Sequence, residues 1–150
     1  MCIRDSLYVD GATVTIATTL SVGYFNGAEN SSGQMRVDAG SVTVGGITTI
    51  ANDAGSRFSL LDINGGTFTD NDTSGTGILV GGAADASLDA ELLVRGTATL
   101  NTPAITLGNG SDTGGLLEFM ALGGTTYLGA GGIASTAPVS TCLLYTSRCV

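Results

Sequence analysis

"MRVDAGSVTVGGITTIA", residues 35–51, decides how the chain folds. It holds three short runs in which apolar and polar residues alternate: Met35 and Val37, then Val42 and Val44, then Ile50. A period of two is the signature of a strand with one buried face. Ala39-Gly40 and Gly45-Gly46 separate the runs. Glycine turns a chain sharply at little steric cost, so these pairs are expected corners between strands.

The same pattern recurs along the chain. "LYVDGATVTIATTLSVG" starts at Leu7, "LDINGGTFTD" at Leu61, "LLVRGTATLNTPAITLG" at Leu92 and a weaker "LEFMALGGTTYLG" at Leu117. The starts, near 7, 35, 61, 92 and 117, lie 28, 26, 31 and 25 residues apart. The longest interval follows the insertion "NDTSGTG" after Asp70, before the third copy resumes at Ile78. The first copy places Leu7/Val9, Val14/Ile16 and Leu20/Val22 inward, and the fourth Leu92/Val94, Ala98/Leu100 and Ile105/Leu107. Three short strands in about 27 residues, repeated in register, describe one coil of a parallel β-solenoid. The expected fold is all-β, with four to five coils. Gly11, Gly40, Gly65 and Gly66 mark its corners, and "YFNGAENSSGQ" (24–34), "NDAGSRFS" (52–59), "GAADASLDA" (82–90) and "NGSDTGG" (109–115) its surface loops. A lone coil cannot seal its own core, and an array of more than about three can.

Composition narrows the function classes. The 150 residues carry a formal charge of −8, with no Lys, no His and 24 Gly. Nucleic acid is excluded as a partner, because phosphate contacts need cations. Without His the usual neutral-pH base and the commonest metal-binding nitrogen are both missing. No apolar run approaches the ~20 residues that span a bilayer, so no direct membrane insertion is expected. No basic-then-apolar signal peptide opens the chain.

The three cysteines, Cys2, Cys142 and Cys149, sit at the two ends. A codon argument explains them. "CLLYTS" (142–147) can be encoded by TGTCTCTTATACACATCT. The reverse complement, AGATGTGTATAAGAGACA, reads "MCIRD" plus the start of a Ser codon from its ATG, and "RCV" (148–150) from its first base. One DNA element in two orientations thus encodes both ends, and it resembles the transposase adapter of sequencing libraries. Residues 1–6 and 142–150 are therefore expected to be adapter translation, and residues 7–141 a β-solenoid repeat fragment without cysteine.

The phrases "TLSVG" (19–23), "GSVTVGG" (40–46), "LDINGGTFT" (61–69) and "GGTTYLGAGGI" (123–133) resemble the β-strand repeats of bacterial autotransporter passenger domains. They are similar also to the repeats of large secreted proteins of environmental bacteria. The resemblance spans residues 7–134. It implies a right-handed parallel β-helix, exported to the cell surface, the outer membrane or the medium. It further implies a structural, non-catalytic role as a stalk or adhesin segment. The implied partners are surface glycans, host or matrix surfaces, and the neighbouring coils of a longer chain. A cysteine-free body suits chains that cross the envelope unfolded.

Two outward ladders stand as candidate sites. The slot after the first-strand Val or Ile holds Asp10, Asp38, Asn64 and Arg95, and the slot before it Tyr8, Arg36, Asp62 and Leu93. Stacked coils would bring Asp10 and Asp38 within about 4.8 Å, where like charges raise a carboxyl pKa. Asp10, Asp38 and Asp62 are the acidic candidates. Parallel β-helices include polysaccharide lyases and hydrolases that use carboxylates on an outward face, so a carbohydrate-active β-helix with its active coils elsewhere is the alternative reading. The plainer one is an exposed polar ladder softened by one cation, Arg36, two residues from Asp38 on the same strand. The second ladder is hydroxyl: Thr13 and Thr15, Ser41 and Thr43, Thr67 and Thr69, Thr97 and Thr99 flank Val14, Val42, Phe68 and Ala98. Flat Thr-x-Thr grids of this spacing are used by ice-binding solenoids, the third reading. The plainer one is that threonine suits an exposed parallel strand. The acidic glycine-rich loops lack the repeated Gly-Gly-x-Gly-x-Asp and the six to eight oxygens that calcium needs. No residue is assigned a catalytic, cofactor-binding or metal-binding role. Asp70 occupies the slot of Ile16, Val44 and Leu100, and is expected to leave the strand for the insertion loop, since a buried unpaired carboxylate costs several kcal/mol.

Overall fold

The computed structural model describes residues 6–23, 31–51, 56–81, 90–108, 115–121, 123–135 and 141–144. The fourteen strands among them are β1 (Ser6–Val9), β2 (Ala12–Ile16), β3 (Leu20–Val22), β4 (Ser31–Val37), β5 (Gly40–Val44), β6 (Thr48–Ile50), β7 (Ser56–Ile63), β8 (Thr67–Asp70), β9 (Ile78–Val80), β10 (Ala90–Gly96), β11 (Thr99–Leu107), β12 (Leu116–Ala121), β13 (Thr125–Ser135) and β14 (Thr141–Leu144). Every strand pairing is parallel. Parallel neighbours need a crossover, and here the crossover is the rest of the coil. The result is a β-solenoid of about four turns.

Three faces run along the stack. The first is β1-β4-β7-β10-β12-β14. The second is β2-β5-β8 continuing into the start of β11, and the third is β3-β6-β9 continuing into the end of β11. In the fourth coil the second and third strands therefore merge. β11 bends at an irregularity between Thr102 and Ala104, and β13 follows it through both faces. Pro103 sits at that bend, where its missing N–H forfeits no ladder bond. The third coil takes seven residues, 71–77, over the same corner. The first-face strands are also longer than their period-two runs: β4 begins at Ser31 and β7 at Ser56, inside stretches expected to be loop.

The core lies between the faces in vertical columns. Leu7, Met35, Leu61, Leu92 and Leu117 form one, and Val9, Val37, Ile63, Val94 and Phe119 another. Val14, Val42, Phe68 and Leu100 line the second face, and Val22, Ile50, Val80 and Leu107 the third. Most are wholly buried.

The corner between the first and second faces shows what glycine does. Gly11, Gly40, Gly66 and Gly96 all take positive φ there, between 64° and 87°. A Cβ on Gly40 would lie 2.1 Å from the Ala12 carbonyl oxygen of the coil beside it. Strained backbone and clash act together, so Gly40→Ala should cost about 1–3 kcal/mol in a denaturant titration. The corner after the third face uses Gly23, Gly81 and Gly108, and in the second coil Ala51, at φ 58°. Nothing in its sequence marks Ala51 as a corner residue.

Of the stretches read as adapter, residues 1–5 and 145–150 lie outside the described residues. Residues 142–144 belong to β14, paired with β12. Backbone groups carry such pairing, so an exposed edge accepts any extended peptide. Residues 24–30, 52–55, 82–89 and 109–114 of the expected surface loops also lie outside the described residues. Among those described, β13 pairs on one side only, and leaves Tyr127 61% and Ile133 44% exposed. Edges of this kind recruit other chains. Light scattering should show self-association that grows with concentration and falls in Ile133→Lys.

Candidate functional site

The first face carries a network of charged and polar side chains across four coils. Tyr8, Arg36 and Asp62 share one outward column and are followed by Leu93 and Glu118. Asp38, Asn64 and Arg95 stand on the column beside it. The Tyr8 hydroxyl donates to Asp38 Oδ2. Arg36 Nε and Asn64 Nδ2 each donate to Asp38 Oδ1 at 2.8 Å. Arg36 also reaches Asp62 Oδ2 at 3.6 Å, and its guanidinium lies 5.9 Å from the Tyr8 ring centroid. Arg95 grips Asp62 with two prongs, at 2.8 and 2.5 Å. Asp62 is 4% exposed although its column faces outward, because its neighbours fold over it.

This corrects the acidic ladder. Asp10, Asp38 and Asp62 do not act as a run of like charges: Asp38 and Asp62 are each held by arginine. Hydrogen bonds from Arg36, Tyr8 and Asn64 pull the Asp38 carboxyl down to about 2 rather than up. The Asp38 carboxylate in turn holds the Tyr8 phenol above its ordinary value. A depressed carboxyl stabilises the fold above its unfolded value of 3.8, and that contribution is lost as pH falls through about 2. Carbon-13 NMR should find Asp38 titrating near 2; a midpoint at 3.8 would mean that these contacts do not form in solution.

The hydroxyl ladder survives with a changed register. Thr99 pairs with Thr67, Leu100 with Phe68 and Asn101 with Thr69. One column is therefore Thr13, Ser41, Thr67, Thr99 and Thr125, and the next Thr15, Thr43, Thr69, Asn101 and Tyr127. Thr97 does not join them. It lies exposed in the turn that Ala98 N–H closes on the Arg95 carbonyl at 3.3 Å. The fourth coil turns with one residue more than the third: Val94 to Thr99 replaces Ile63 to Thr67. Packing selects that register. Leu100 fills the slot stacked on Phe68, which Ala98 would leave hollow, and small Ala98 fits the corner. Within the columns, Ser41 Oγ donates to Thr13 Oγ1 at 3.3 Å and Asn101 Nδ2 to Thr69 Oγ1 at 3.4 Å.

Asp70 is a second correction. It remains the last residue of β8, in register with Val44, and is 3% exposed. Its Oδ1 accepts the Asp72 N–H at 2.9 Å, a local bond that Asp makes readily. The Asp72 carboxylate in turn accepts from the amides of Ser74, Thr76 and Gly77 and from the Ser74 hydroxyl. These donors, Ser74 first, pull Asp72 down to about 2. They knit the 71–77 insertion into a compact turn.

One pairing went unseen in the sequence. Glu91 and Glu118 sit on adjacent columns of neighbouring coils, beside half-buried Leu60, Leu93 and Leu116. Burial first, then the Glu118 charge, raises the Glu91 pKa. The signal was in the alignment: Glu91 precedes Leu92 and Glu118 follows Leu117. Among the described residues no group of three or more His, Cys, Asp or Glu could hold a metal ion. No family profile, no curated protein and no solved structure matches the chain.

Proposed function

We propose that residues 7–141 form a non-catalytic structural segment of a bacterial cell-surface or secreted repeat protein, a stalk of the autotransporter-passenger or adhesin kind. The observation that supports this reading is the first-face network. Tyr8, Arg36, Asp38, Asp62, Asn64 and Arg95 are consumed in bonds from coil to coil. Groups that cross-link coils stiffen a rod; they are not held free for a substrate. Contact with surface glycans or matrix would then fall to the loops that the rod displays. The test pairs small-angle scattering with a panel of acidic and neutral polysaccharides. A rod lengthening by about 4.8 Å per coil, with no turnover, is expected. Turnover of any of these polysaccharides by a longer chain that contains these coils would replace this reading with the carbohydrate-active one.

The two adjacent hydroxyl columns, Thr13 to Thr125 and Thr15 to Thr69, favour a second reading, ice binding. If it holds, the protein shows thermal hysteresis that Thr43→Tyr with Thr69→Tyr removes while circular dichroism is unchanged. An unmodified protein without thermal hysteresis ends that reading.

A further inference from the structure

The corner between the second and third faces buries two side-chain oxygens that have no hydrogen-bond partner: Asp70 Oδ2 and Thr48 Oγ1. Thr48 opens β6 with its side chain in the core, in the column of Leu20, Ile78 and Ile105. The two residues are neighbours across adjacent coils, close enough for the Thr48 hydroxyl and amide to act on the Asp70 carboxyl. The Thr48 N–H itself donates to the Gly77 carbonyl at 3.2 Å, and Gly77 ends the insertion. Asp70 thus touches the loop at both ends, through the Asp72 amide and through Thr48.

We infer that Asp70 is held in the core as the neutral acid, its Oδ2 buried beside Thr48 with no donor to meet a charge, and that its ionisation releases the 71–77 loop: a pH-sensitive latch. Among the described residues no cation is paired with a carboxylate there. Val44 of β5 stands in register with Asp70 and Thr48 of β6 lies beside it, and neither titrates. Among the described residues the titratable group that acts on it is Asp72, whose negative charge opposes a second charge at Asp70. Arg36 and Arg95 are engaged with Asp38 and Asp62 on the outward side of the first face. Burial, the largest influence, raises the Asp70 pKa, and Thr48 offsets only part of it.

The sign follows. A carboxyl whose folded value exceeds its unfolded 3.8 keeps its proton in the folded state after the unfolded chain has lost it. The Asp70 contribution to stability is then greatest at acid pH, declines as pH rises from 3.8 through the folded value, and is level above that.

The test compares the unmodified chain with Asp70→Asn, which holds the same shape without a charge. Unfolding in urea is followed from pH 4 to pH 9, with carbon-13 NMR of the Asp70 carboxyl and hydrogen exchange at Thr76 and Gly77. Three results are expected. The Asp70 midpoint lies above 3.8. Asp70→Asn outlasts the unmodified chain in urea at pH 8 while matching it at pH 4. Protection of the Thr76 and Gly77 amides, relative to their intrinsic exchange at each pH, falls several-fold above the midpoint in the unmodified chain alone. A midpoint at or below 3.8, or equal pH slopes in the two proteins, overturns the latch. Should Asp70→Asn fail to fold, the NMR midpoint and the exchange profile of the unmodified chain decide.

Discussion

Val42→Asp should abolish folding. Val42 is wholly buried in mid-strand, stacked between Val14 of the coil before and Phe68 of the coil after. A carboxylate placed there is desolvated without a partner, at a cost of several kcal/mol. Domains have only about 5–15 kcal/mol in reserve. Asp70 shows the one way in which this core admits an aspartate: at a strand end, where the next turn supplies an amide. At Val42 that route is closed, since β5 spends its backbone on β2 and β8. Circular dichroism of the variant should lose its strand signal and show no melting transition. Thr43→Val, one residue along on the outward side, should change stability by no more than about 0.5 kcal/mol. A harmless Val42→Asp beside a ruinous Thr43→Val would mean that every face is inverted.

Phe68→Ala should be nearly as costly, at about 3–5 kcal/mol. Phe68 is the largest fully buried side chain of the core. Its column neighbours, Val42 and Leu100, are fixed by strand pairing on either side. The coil cannot close in without breaking those ladders, so the cavity stays open and its walls lose their contacts. Chemical denaturation should show the midpoint fall with little change in slope. A loss below about 1 kcal/mol would place Phe68 outside the core. Together the two variants examine one column by opposite means, added charge and removed volume.

The outward faces show where sequence reading stops. Alternation placed Asp38, Arg36 and Asp62 outside, as found. It could not tell that Arg36 and Arg95 would reach across coils, because alternation says which way a side chain leaves the strand and not how far its head travels. Hence Asp10 and Asp38 read as a repelling pair, whereas Asp38 is held by three donors. The Thr97 register failed for a related reason. A Thr-Ala-Thr match looked like Thr-Phe-Thr, but a core slot is chosen by volume as well as polarity, and Leu100 outweighs Ala98.

The sequence by itself determined the repeat, the parallel coils, the inward columns and the glycine corners. Each is local, since a two-residue period and a positive-φ turn need no distant partner to be recognised. Only the tertiary structure decided the rest: the merging of two strands in β11, the register at Thr99, the corner at Ala51, the arginine links on the first face and the burial of Asp70. These depend on what the coils above and below present to each residue. A solenoid reads one coil at a time in sequence, and its energies lie between coils.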